Sequence, residues 1–182
     1  MPRYVAFLRA INVGGQHVVR MGDLRRQFER LGFTDVETFI ASGNVVFTAT
    51  SRDGAALERK IERALEKAFG FEVNTFVRTL AELADVAARK PFPESRVKTA
   101  GAYCVGFLPA ALAPAVVKSV LALKSAEDDF HVEGREVHWI STQGQGRAAF
   151  SNAVLEKLLK GKSTLRGVRM LQKLAAKYPS KS

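Results

Sequence analysis

Cysteine is all but missing. Cys104 stands alone among 182 residues, so no intrachain disulfide can form and no cysteine-rich zinc site can be built. No apolar run approaches the ~20 residues that a bilayer demands, which excludes a helical membrane span. The opening "MPRYVAFLRAINVGG" has too short an apolar core, and no small-residue cleavage site, to act as a secretory signal. These absences point to a reducing cytoplasm. The marks of common chemistries are missing as well, since there is no GxGxxG or Walker-type glycine spacing. Nor is there a GxSxG, an HExxH, or a Ser/Cys–His pair at an informative spacing. The sequence assigns no catalytic residue and no cofactor, and does not decide between an enzyme and a binding protein.

Acidic residues run out before the chain does. After Glu156 there are eight Lys and Arg and no Asp or Glu. Over the whole chain 28 Lys+Arg face 18 Asp+Glu, a net charge of +10. Residues 1–90 hold 14 basic and 11 acidic groups, a balance of +3, and residues 91–182 hold 14 and 7, a balance of +7. Such asymmetry favours polyanions as partners, whether nucleic acid, phosphorylated ligands or acidic proteins. A solvated basic tail that only aids solubility gives the same pattern. The rest is ordinary for a globular protein, at 47% hydrophobic and 25% charged, on a chain long enough to bury a core. A monomer is expected over an assembly.

The pattern along the chain predicts an α+β fold. "YVAFLR" is apolar almost without alternation, as in a strand covered on both faces. "MGDLRRQFERLGF" sets Leu24, Phe28 and Leu31 at helical spacing before Gly32. "VETFIASGNVVFTAT" holds two β-rich runs about Ser42-Gly43-Asn44. A helix follows with Leu57, Ile61, Leu65 and Ala68 in one stripe, and then the alternating "FEVNTFVR". The order β-α-β-β-α-β is that of a ferredoxin-like unit. Thr79 and Glu82 spell a capping box for a connecting helix, and "PFPESRVKT" breaks regularity, which sets a domain boundary between 1–90 and 91–182. The second half repeats the order: "AYCVGF" as strand, Pro114–Lys124 as helix, "DFHVEGREVHWI" as hairpin and "FSNAVLEKLL" as helix. Where a fourth strand would close it, "STLRGVRMLQKLAAKY" reads as helix. Two tandem ferredoxin-like (α/β-plait) units, the second ending in an extra helix, are expected.

In such a unit the first two strands run parallel through a right-handed crossover. Parallel pairing of Tyr4–Arg9 with Val36–Ala41 would bring the bends after both strands to one rim of the sheet. Those bends are Asn12-Val13-Gly14-Gly15-Gln16-His17 and Ser42-Gly43-Asn44. With Arg9 and Arg20 beside them, and the start of a Gly22–Leu31 helix, they make a candidate anion cradle. Arg9, Asn12, Gly14, Gly15, Ser42, Gly43 and Asn44 are its candidate ligand-binding residues. Glycines at tight turns serve a purely mechanical role equally well. The stretch "LRAINVGGQHVVRMGDLRRQFERLGFTDVETFIASGNVVF" resembles the opening of a bacterial family called domain of unknown function 1697. That family reads Leu-Arg-Gly-Ile-Asn-Val-Gly-Gly, then Leu-Gly-Phe, then Gln-Ser-Gly-Asn-Val-Val-Phe; Ala10 and Ala41 depart from it here. The resemblance implies a two-part α/β-plait fold and no activity. Its members usually end with Thr-x-Arg-Asn-Trp-x-Thr before an apolar helix and Lys-Leu, whereas this chain keeps Thr164, Arg166, Lys173 and Leu174 but has Gly167, Val168 and Met170 where Asn, Trp and Thr would stand.

Three further groupings stand out. A two-residue turn at Gly134-Arg135 would set His131 opposite His138 and Glu133 opposite Glu136, on one face with Asp129. That face is a weak candidate metal pair, against the ordinary polar side of a hairpin; no metal is otherwise implied. Gly144, Gly146 and Arg147 ahead of a helix make a second anion loop or plain capping chemistry with Ser151 and Asn152. Arg166, Arg169, Lys173 and Lys177 fall in one stripe of the last helix, opposite Val168, Leu171, Ala175 and Tyr178. Such a stripe can follow phosphates, and it can also be a solvated face. Non-enzymatic binding of nucleic acid or another polyanion is therefore expected. The alternative is a small-molecule enzyme or sensor, with a pocket for a phosphorylated ligand at the glycine rim between the two units. A partner-binding protein without a ligand is a third reading.

Overall fold

The apolar run after Arg3 forms β1 (Arg3–Leu8), buried on both of its faces from Tyr4 onward. In this computed structural model residues 1–40 and 43–181 are described. α1 (Met21–Arg30) buries Leu24 and Phe28 and stops at Gly32, whose φ of 86° suits glycine. β2 (Thr34–Thr38) pairs antiparallel with β3 (Asn44–Thr48). α2 (Gly54–Phe69) starts where the Asp53 carboxylate accepts from the Ala56 N–H, and it ends on Gly70 at φ 81°. It buries Leu57, Ile61 and Leu65, while Ala68 is exposed in the last turn. β4 (Thr75–Thr79) passes directly into α3 (Leu80–Ala88) through the expected capping box. The Thr79 N–H donates to Glu82 Oε2 at 2.8 Å, and the Glu82 N–H donates to Thr79 Oγ1 at 3.0 Å.

The strands lie in the order β2-β3-β1-β4, and every neighbouring pair is antiparallel. The expected direct pairing of the first two strands is corrected here, because β3 lies between them. Two antiparallel steps in series restore a common direction, so β1 and β2 still point the same way and their bends leave the same edge. Tyr4, Ala6, Leu8, Val45, Phe47 and Val77 face α1 and α2 in one apolar cluster. Val5, Phe7, Val46 and Phe76 on the other face are also buried. An aromatic-bearing open sheet face of the kind that reads single-stranded RNA is therefore not present in this sheet.

The second half opens on a short helix, α4 (Glu94–Lys98), inside the stretch expected to be irregular. β5 (Ala102–Phe107), α5 (Pro114–Leu121), β6 (Asp128–Glu133), β7 (Glu136–Ser141) and α6 (Asn152–Leu159) follow in the order the sequence predicts. The helix expected across "STLRGVRM" is a correction. Thr164–Gly167 is a fourth strand, β8, pairing antiparallel with β5, and α7 (Val168–Lys177) begins immediately after it. Thr164 and Arg166 are buried while Leu165 is only half-buried, a two-residue period that extrapolation backward from the strong helical pattern of α7 hides. Sheet order β6-β7-β5-β8 repeats that of the first half, and β8–α7 repeats the abrupt β4–α3 junction. The fold is thus two α/β-plait units in tandem, with a C-terminal helix. By packing, residues 1–86 with 174–182 form one compact unit and residues 87–173 the other. No helix among the described residues is long and apolar enough to cross a membrane.

Candidate functional site

Both bends of the first unit lie against each other. The Leu8 N–H donates to Gly43 O at 2.8 Å, and a Cβ on Gly43 would lie 2.9 Å from Ile11 Cδ1. Gly14 and Gly15 are the centre of a tight turn closed by the Gln16 N–H on Val13 O at 3.0 Å. Their φ values of 59° and 74° are both positive, the requirement of a type I′ hairpin turn, so the glycines have a mechanical reason to be there. Asn12 grips Val19 with both ends of its carboxamide. Its Nδ2 donates to Val19 O at 3.1 Å, and its Oδ1 accepts from the Val19 N–H at 2.8 Å. Asn44 is fully buried, and its Nδ2 donates to Phe39 O at 2.9 Å, bracing the second bend. Arg9 is half-buried, with its N–H on Asn74 O at 2.9 Å. Ser42 lies outside the described residues. The N-cap of α1 is Arg20, which provides no side-chain cap.

Backbone strain gathers at this rim. Ala10, Asn12, His17 and Ile40 have φ of 57°, 55°, 50° and 57°, in a region that costs a non-glycine residue about 1–2 kcal/mol. Val13, Val18 and Ile40 are exposed apolar side chains on the same two bends. His17 is anchored edge-on to Phe71 with ring centres 4.1 Å apart.

The hairpin of the second unit has the register that the sequence predicts, with His131 opposite His138 and Glu133 opposite Glu136. Phe130, Val137 and Trp139 turn into the core from its other face. It is not a plain solvated face, for His138 is fully buried and Glu136 nearly so. Arg89 fills the space a metal would need. Its Nη1 donates to Glu136 Oε1 at 2.9 Å and approaches His138 Nε2 at 3.5 Å, and its Nε pairs with Glu133. Burial, then the Arg89 charge, pushes the His138 pKa down to about 4. Arg89 only donates, so Nε2 accepts and the ring proton rests on Nδ1, which has no partner among the described residues. A second cation would be repelled by the guanidinium, and no group of three or more His, Cys, Asp or Glu among the described residues could hold one. Nothing in the sequence announces Arg89, which lies 49 residues from His138.

The basic stripe divides. Arg166 is in β8, not on the helix, and is buried beside Thr164, whose Oγ1 accepts from Nη1 at 2.6 Å. Burial lowers its pKa to about 10, and it stays charged at neutral pH. Arg78 of β4 is its counterpart, facing Val5 as Arg166 faces Val105. Sequence reading missed Arg78, although an arginine on the buried phase of "TFVRT" is a signal. Arg169, Lys173 and Lys177 remain exposed on α7, while Val168, Leu171, Leu174 and Tyr178 are buried and Ala175 half-buried. Lys177 Nζ also lies 5.6 Å from the centre of the Phe39 ring. The Gly144–Arg147 loop is a turn in which Gly144 O accepts from Arg147 and Ala148, and Ser151 caps α6 through the Val154 N–H at 3.3 Å. Cys104 is buried, which raises its thiol pKa to about 11 and leaves it unreactive.

Comparison with known proteins gives a family and a fold. A family model described as "Protein of unknown function (DUF1697)" matches residues 1–138, ending within β7 and short of the basic helix. None of the curated proteins matches. Among solved structures, a conserved bacterial protein from Streptococcus pneumoniae is similar at a TM-score of 0.75 and 23% identity, with 99% of each chain covered. At that identity the likeness is one of fold.

Proposed function

The chain belongs to the DUF1697 family of proteins of unknown function, and from that premise we propose that it binds a polyanion without chemistry, a nucleic-acid backbone being the ligand that suits it. The observation that carries this reading is the exposed face of α7. Arg169, Lys173 and Lys177 lie about one turn apart on it, with no carboxylate partner among the described residues. The sequence context adds Lys157, Lys160, Lys162 and Lys181, all exposed, and no acid after Glu156. Helix spacing of about 5.4 Å per turn lets successive cations reach successive phosphates, and each neutralised phosphate releases counterions. The test is a salt titration of binding to generic duplex DNA and to RNA. Binding should fall steeply with salt, and Arg169→Glu/Lys173→Glu/Lys177→Glu should flatten the log–log slope by about 2–3 units. No binding at low salt, or an unchanged slope in the triple variant, overturns the reading.

A second reading has its own observation, the left-handed residues gathered at the glycine rim. Strain of that kind persists where surrounding structure over-determines it, as at ligand-holding loops. On this reading Arg9 and the two bends hold a small phosphorylated ligand. Thermal-shift measurements against inorganic phosphate and sugar phosphates test it. Stabilisation that survives Arg9→Ala would move the ligand elsewhere.

A further inference from the structure

The second unit holds a cavity of about 410 Å³ where the β8–α7 junction meets β5, a volume within the range of small-molecule pockets. Its wall is apolar at Val97 and Val168. Four polar side chains line it from different elements: Tyr103 of β5, Gln145 of the loop before α6, and Arg169 and Gln172 of α7. None of these four makes a hydrogen bond or ion pair with another described residue. The Tyr103 ring packs edge to face on the Phe92 ring at 5.6 Å, and burial raises its hydroxyl pKa, so it is held as a neutral donor. The rest of the wall is small, Ala100, Gly101, Ala102, Cys104 and Gly167, and an added Cβ at Gly167 would meet nothing within 4 Å. Space is therefore kept open at that position by the absence of a side chain and not by a tight fit.

We propose that this cavity binds a small organic phosphate about the size of a nucleoside monophosphate. A guanidinium offers paired N–H donors in the geometry that phosphate oxygens accept, and Arg169 has no carboxylate to neutralise it. The net charge of +10 on the chain favours a dianion over a monoanion at that position. Gln145 and Gln172 each offer both a donor and an acceptor, which matches the mixed edge of a base or sugar. The Tyr103 ring and the Val97 and Val168 walls cover the apolar part of such a ligand. A free inorganic phosphate would use only the Arg169 end and leave both amides unanswered. The site lies wholly within the second unit; it shares Arg169 with the exposed face of α7 but needs neither Lys173 nor Lys177.

Isothermal titration of the full chain with AMP, UMP and inorganic phosphate tests this. A nucleotide is expected to bind one to one, at least tenfold tighter than inorganic phosphate. Gly167→Phe, which fills the open side of the cavity, should weaken nucleotide binding at least tenfold while its melting temperature and its salt-dependent binding to duplex DNA stay as in the parent. Gln172→Glu, which sets a carboxylate at the cavity wall, should weaken it by a similar factor and covers the case in which Gly167→Phe fails to fold. No heat with either nucleotide, equal affinity for inorganic phosphate, or full binding by both variants overturns the proposal. A parent chain that binds nucleotide but shows no DNA binding at low salt would instead remove the polyanion reading and leave the cavity standing.

Discussion

A methyl group at Gly43 would lie 2.9 Å from Ile11 Cδ1 and 3.0 Å from Leu8 Cβ, at a φ of 80°. Gly43→Ala therefore combines left-handed strain with overpacking and is expected to cost roughly 2–4 kcal/mol, measured by urea denaturation. Gly15→Ala meets no neighbour and should cost only the strain, about 1–2 kcal/mol. Equal costs at the two positions would mean that the bends do not touch in solution. His138 makes the second residue-scale prediction. Its pKa is about 4 in the fold against an ordinary 6.5, so between those values the unfolded chain binds the proton and the fold does not. Stability contributed by this ring is full above pH 6.5 and is lost as pH falls towards 4, by up to about 3 kcal/mol. His138→Gln should remove close to one proton from the pH dependence of unfolding in that window. An unchanged dependence would mean that the ring is already protonated beside Arg89.

Elements are where local chemistry is easiest to read. The capping box at Thr79 and Glu82 is visible as four letters, and both of its reciprocal hydrogen bonds form. Thr79→Ala should destabilise the chain by about 1 kcal/mol. Glu82→Ala in the Thr79→Ala background should cost less than it does alone, because the pair act together. Additive losses in that double-mutant cycle would deny the coupling. The hairpin at Gly134-Arg135 was legible for the same reason, since a two-residue turn fixes the register by counting. Thr164–Gly167 was not legible. Four residues carry too little alternation to stand against a ten-residue amphipathic helix behind them, and only hydrogen bonding to β5 makes them a strand.

Over the whole molecule the net charge of +10 acts on encounter more than on fold. If α7 meets a polyanion, reversing its three exposed cations should slow association more than it speeds dissociation, as stopped-flow at low salt would show. A purely dissociative effect would point to packed contacts instead. The sequence by itself determined the element order, the doubling of the α/β plait and the polarity of α7, because periodicity, caps and turn residues act within a few positions. It also marked the glycine bends and the paired histidines as places to look. Tertiary structure alone decided that β3 separates β1 from β2, that Arg166 leaves the basic face for the interior, and that Arg89 occupies the space between Glu133, Glu136 and His138. Those outcomes depend on partners dozens of residues away, and no local pattern carries the distance between them.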